Sequence, residues 1–171
     1  MDFLEGWNAL MSTCATVFGL WGVVLGLRAK RRNDELAKPI ISNLETFNLP
    51  IDQTLCHITV VAGERFATLN KLEVSGHQIA WAVQTGKKVP EDVKQQTPLM
   101  DSIPIGITLP THAGELSLFF FLDNPPASGF DIRLLTSAGE VFFVVPDRYA
   151  ERMRDGAEQA NRNYYVSNEK R

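Results

Sequence analysis

Read for polarity alone, the chain falls into three stretches. Between Trp7 and Leu27 there is no charged side chain; from Ile40 to Val145 short apolar runs alternate with turn residues; after Asp147 apolar positions thin out. A helix rises about 1.5 Å per residue, so the charge-free run spans roughly 30 Å, the hydrocarbon thickness of a bilayer. The first stretch therefore predicts one transmembrane helix over 7–27, preceded by a short external N-terminus over 1–6. Trp7 stands at one boundary of that span and Arg28, Lys30, Arg31 and Arg32 at the other. Positive residues stay on the cytoplasmic side, which predicts an inner-membrane, single-pass protein with its N-terminus outside and its C-terminal domain in the cytoplasm. The start is acidic and the run ends in a basic cluster, opposite to the layout of a cleaved signal peptide. The basic juxtamembrane segment, 28–38, ends at Pro39, which has no amide hydrogen to continue a helix.

In the second stretch the period changes to two. Strands are predicted near 40–47, 54–62, 66–75, 77–83, 103–109, 115–122, 130–137 and 140–145. Ile103, Ile105, Ile107 and Leu109 share one strand face, and Leu116, Leu118, Phe120 and Leu122 share another, so both sets are expected to face one core. Ser75-Gly76 predicts a tight turn between Val74 and Ile79, and Thr136 to Gly139 a hairpin into Val141. The runs Phe119 to Leu122 and Val141 to Val145 are expected to be buried on both faces. Many short strands without a convincing helix between them predict an all-β antiparallel sandwich over 39–146, with immunoglobulin-like as the nearest common type. The Cys…Trp…Cys pattern of antibody domains is missing, since Trp81 has no flanking cysteine pair.

One long segment, Gln84 to Ser102, carries Pro90, Pro98 and a run of polar residues and is expected to be an irregular loop. Its Lys87, Lys88, Glu91 and Asp92 are the expected partner surface. In the third stretch, Asp147 is a helix cap and Tyr149, Met153, Ala157 and Ala160 recur near helical spacing. This predicts a short amphipathic helix over 147–160 and a disordered tail over 161–171.

Within the predicted span, Asn8, Ser12, Ala15, Gly19, Gly22 and Gly26 follow spacings of four and three and lie along one helical stripe. Gly22 and Gly26 form a GxxxG pair, the arrangement that lets two helices approach closely in lipid. The stripe predicts association with a second copy or with another membrane protein.

Charge adds an exclusion. The formal net charge is −3, but residues 28–38 carry +3 and residues 39–146 carry −5. An acidic body with one short basic cluster is a poor match to phosphate backbones, so no nucleic acid partner is expected. Cys14 inside the span and Cys56 outside it cannot pair within one molecule, in keeping with a reducing compartment.

Chemistry is harder to find. GxGxxG, Walker-type, HExxH and GxSxG motifs are all absent from the sequence. The histidines, His57, His77 and His112, lack the close paired spacing of a zinc site, and Cys56 lies among Leu55, Ile58 and Val60 as a buried residue would. No catalytic residue, cofactor or metal is expected.

The order of parts carries a resemblance: Trp7, the glycine-containing span, the Leu27 to Arg32 stop, then Leu72 to Gly76, Ile107 to Pro110 with Gly114-Glu115, and Thr136 to Val141. It resembles small membrane-anchored proteins of bacteria and their phages with an immunoglobulin-like sandwich on the cytoplasmic face. The resemblance implies fold and topology and supplies no catalytic residue. The residues point to a non-enzymatic membrane protein whose partners are lipid, a second copy or another membrane protein, and a cytoplasmic protein. Two alternatives stay open: a phage or prophage product that modulates a host membrane complex or excludes other phages, and a ligand-binding or enzymatic sandwich with its site in 84–102.

Overall fold

The computed structural model describes residues 23–36, 38–49, 53–84, 93–111 and 114–169, and the chain divides into two units, Met1–Leu36 and Ala37–Arg171. In the first unit, residues 23–36 form a helix (α1) that carries Arg28, Lys30, Arg31 and Arg32 on exposed positions. Its described part ends at Leu36, three residues before Pro39, which has no amide hydrogen to continue a helix. Among the described residues no helix is long and apolar enough to cross a membrane. Residues 7–22, which hold Trp7 and most of the predicted span, lie outside the described residues.

Among its described residues the second unit has nine strands and a helix: β1 (Ile40–Leu49), β2 (Gln53–Val61), β3 (Ala67–Val74), β4 (Ile79–Gln84), β5 (Val93–Gln95), β6 (Ser102–Leu109), β7 (Glu115–Leu122), β8 (Phe130–Thr136), β9 (Gly139–Val145) and α2 (Asp147–Glu169). They form two antiparallel sheets, one ordered β1-β2-β7-β4-β5 and the other β6-β3-β8-β9. Ile58, Phe120 and Ile79 from the first layer and Leu72, Ile103, Ile132 and Leu134 from the second are fully buried in one core. The alternation of Leu118, Phe120 and Leu122 is thus met as expected, with Leu116 at the margin. Phe119 to Leu122 is also buried on its other face. There Phe121 joins Leu55 and Ala80 in a second cluster flanked by Phe47 and Phe119.

Strand pairing decides the topology. β2 pairs with β7, β3 with β6 and β4 with β5, which is one long hairpin folded over on itself, while β4 also pairs with β7 and β3 with β8. With β5 and β6 set aside, the two sheets read β1-β2-β7-β4 and β3-β8-β9, which is the strand order of the expected immunoglobulin-like sandwich, whose sheets join the first, second, fifth and fourth strands and the third, sixth and seventh. The departure is an insertion between β4 and β7: β5 extends the first sheet beyond β4, and β6 extends the second beyond β3.

The expected Ser75-Gly76 turn is present, with Gly76 at φ 73° and the His77 amide bonded to the Val74 carbonyl, and it leads from one sheet to the other. Several expectations are corrected. The segment 84–102 is not wholly irregular, because Val93 to Gln95 pair with β4 and Met100 bridges back to Ile79. The Gln96 amide donates to the Trp81 carbonyl and the Trp81 amide donates to Thr97 Oγ1, and together they hold the return. Ile107 is 39% exposed, because Gly106 at φ 70° sits in a bulge of the edge strand β6. The run Val141 to Val145 is not buried on both faces: Phe142 is 58% and Val144 69% exposed. As an edge strand of an outer layer, β9 offers only its inward residues, Val141 and Val145, for full burial.

The helix is longer than its apolar spacing predicts. α2 runs to Glu169 where a disordered tail was expected from 161. Its first half is anchored by burial of Ala150, Met153 and Ala157 and by a bond from the Tyr149 hydroxyl to the Leu44 carbonyl. Once that half is ordered, adding further turns needs only one backbone bond per residue, which propagates a helix past its packed face.

Candidate functional site

The outer face of the four-stranded sheet is laid out in rows by register. Pro104, Lys71, Leu135 and Glu140 are aligned across β6, β3, β8 and β9. In the next row Ser102, Glu73, Arg133 and Phe142 are aligned, and Asp131 stands opposite Val144 beyond it. Side chains of a strand alternate between faces, so the buried Leu72, Ile132, Leu134 and Val141 fix these rows on the solvent side.

Charges on this face are linked. Lys71 Nζ lies 2.6 Å from Glu73 Oε1, Arg133 Nη1 donates to Glu73 Oε2 at 3.4 Å, and the Arg133 fork also reaches both oxygens of Glu140. The Lys71 hydrogen bond leads in lowering the Glu73 carboxyl below its ordinary value, with Arg133 adding to it. Glu140 leads in raising the Arg133 guanidinium. With its orientation set from two sides, the guanidinium lies 5.7 Å from the centre of the exposed Phe142 ring. Solvent-facing pairs add little stability, so the effect of the lattice is to hold a charged plane beside an aromatic one.

Two hollows flank this ridge. One, of about 600 Å³, is lined by Asn70, Lys71, Ser102, Pro104, Leu135, Thr136, Gly139 and Glu140. The other, of about 370 Å³, is lined by Glu73, Val74, Ser75, Asp101, Asp131, Arg133 and Phe142. Asp101 accepts a bond from Gln78 at 3.2 Å, and among the described residues neither Asp101 nor Asp131 has a cationic partner.

The histidines are held separately. His57 stacks on Phe119 with ring centres 4.3 Å apart and places Nδ1 3.1 Å from Glu45. Cys56 and His57 are neighbours on a strand and so point to opposite faces, and they cannot act on one ligand. Cys56 is fully buried, and burial pushes its thiol far up. His77 pairs with Asp123, just past the end of β7. Among the described residues no three or more of His, Cys, Asp and Glu are grouped to hold a metal ion.

Of the residues singled out by sequence, Asn8, Ser12, Ala15, Gly19 and Gly22 lie outside the described residues, as do Lys87, Lys88, Glu91 and Asp92. Gly26 lies on α1 with open space where a side chain would project. The surface built from Glu73, Arg133, Glu140 and Phe142 escaped the sequence reading. A signal was present in Glu140: its charge fixes the phase of β9 and so places Phe142 and Val144, two and four residues on, at the solvent face. No protein-family model and no curated protein matches the chain.

Proposed function

We propose that the chain is a non-enzymatic, membrane-tethered binding module. Residues 7–27 anchor it in the inner membrane, the stripe from Asn8 to Gly26 associates with a second copy or another membrane protein, and the sandwich offers a surface to a cytoplasmic protein. The charge-free run and the basic stop after it support the tether. The binding surface is the outer face of the four-stranded sheet, and the single observation that carries it is the exposure of Phe142 (58%) and Val144 (69%) beside an oriented arginine. Aromatic residues and arginine are the side chains that concentrate binding energy at protein interfaces.

The test is photo-cross-linking in cells with a benzophenone side chain at position 142 of the full chain, and at the still more exposed Phe66 for comparison. The expected result is a discrete adduct in the membrane fraction from position 142 and none from position 66. A chain that partitions away from membranes, or equal cross-linking at both positions, would overturn the reading.

A further inference from the structure

We infer that the hollow beside Phe142 receives a cationic side chain, so that the partner docks with an arginine- or lysine-bearing segment. This rests on the binding surface proposed above and names the chemistry of what it binds. The argument is one of charge that the fold leaves unmatched. Glu73, Asp101 and Asp131 line the hollow, Arg133 is the one cation in its lining among the described residues, and Glu73 is already matched by Arg133 and by Lys71 from outside it. Arg133 is already engaged by Glu73 and Glu140, so its charge is spent on the ridge, and Asp101 and Asp131 keep theirs.

Position matters as much as sign. Asp131 stands across from Val144 in the register and one row from Phe142. A cation entering there has two carboxylates at its charged end and exposed aromatic and aliphatic surface along its stem. Lysine and arginine carry that combination, a charged head on an apolar stem. An anionic partner would meet the unpaired carboxylates and be repelled, so the same arrangement discriminates by sign.

The inference is tested with the full chain in detergent by fluorescence anisotropy, using a labelled (Arg-Gly)4 peptide and a labelled (Glu-Gly)4 peptide as probes. The Asp101→Asn, Asp131→Asn double variant removes the two free carboxylates. Glu64→Gln, Glu115→Gln removes the same charge elsewhere. Phe142→Ala tests the aromatic wall.

The expected result is binding of the arginine peptide alone, weakened about tenfold by the aspartate pair and severalfold by Phe142→Ala, with little change in the charge-matched control. Equal loss in the control variant would mean nonspecific attraction to an acidic body and would overturn the inference. So would unchanged affinity in the aspartate variant, or equal affinity for the glutamate peptide. If position 142 still cross-links to a discrete protein while the arginine peptide fails here, the binding surface stands and only its cationic preference is lost.

Discussion

His77 Nδ1 lies 2.9 Å from Asp123 Oδ1, and the contact ties the end of β7 to the short segment that carries the chain from one sheet to the other. The Asp123 amide adds a bond to the Gln78 carbonyl at 3.0 Å, so the crossover is held by backbone and side chain together. His77 also meets Phe130 edge-on, with ring centres 5.6 Å apart, which links the pair to the start of β8.

Asp123 gives the first prediction. Burial pushes its carboxyl up, but the bonds from His77, Gln78 and Asn124 and the charge of His77 outweigh it, and the net direction is down. A carboxyl lowered on folding contributes stability above its unfolded value of about 3.9, and that contribution is lost as pH falls through the folded value. Asp123→Asn should cost about 1 kcal/mol at pH 7. The variant should also lose stability less steeply on the acid side. Urea titrations at pH 7 and across the acid range would check both, and an unchanged acid slope would rule out the assigned role.

Gly129 marks a close approach. A Cβ built there would lie 2.6 Å from the Val145 carbonyl oxygen and 2.9 Å from the Asp147 amide nitrogen. Both are backbone atoms at the joint of β9 and α2, so neither can swing aside. Gly129→Ala should therefore destabilise by about 2 kcal/mol, as overpacking does. Thermal unfolding would show it, and a wild-type midpoint would mean the joint yields more easily than its geometry implies.

Cys56 is predicted to be inert in the folded chain. It is fully buried and its thiol is pushed upward, which removes both the access and the thiolate that alkylation needs. In a Cys14→Ser background, maleimide labelling should appear only as denaturant unfolds the sandwich. Rapid labelling under native conditions would contradict the burial.

Two phenylalanines separate surface from core. Phe120 is fully buried, and Phe120→Ala should cost about 3–5 kcal/mol. Phe142→Lys with Val144→Lys, both on the exposed face of β9, should stay within about 0.5 kcal/mol of wild type, and Val144→Lys alone should abolish the cross-link from a benzophenone at position 142. A large loss of stability in the lysine variant would show that this face is packed and not presented.

Local pattern carried much of this fold, and its failures share a cause. The period of two along Leu116 to Leu122 placed β7 correctly because that strand has a core side that can be read from its own residues. Strand order was not legible in the same way. Thr54 lies opposite Leu122 and Ala67 opposite Leu109, pairings between distant segments that no local window contains. β5 was hidden because Val93-Lys94-Gln95 is short and polar and becomes a strand only by joining the edge of β4. The candidate site was hidden for the same reason: Glu73, Arg133 and Phe142 come from three strands and meet only through register.

The folded-over hairpin has a consequence for synthesis. When β2 leaves the ribosome, β1 on one edge of it has been made but β7 on the other has not, and chain elongation at about 5–20 residues per second imposes a wait of several seconds. Through that interval Leu55, Cys56 and Ile58 lack the partners that later bury them, and the sandwich cannot close until β7 and then β9 are complete. The nascent chain is therefore most open to capture by chaperones, or by neighbouring copies, midway through its own translation.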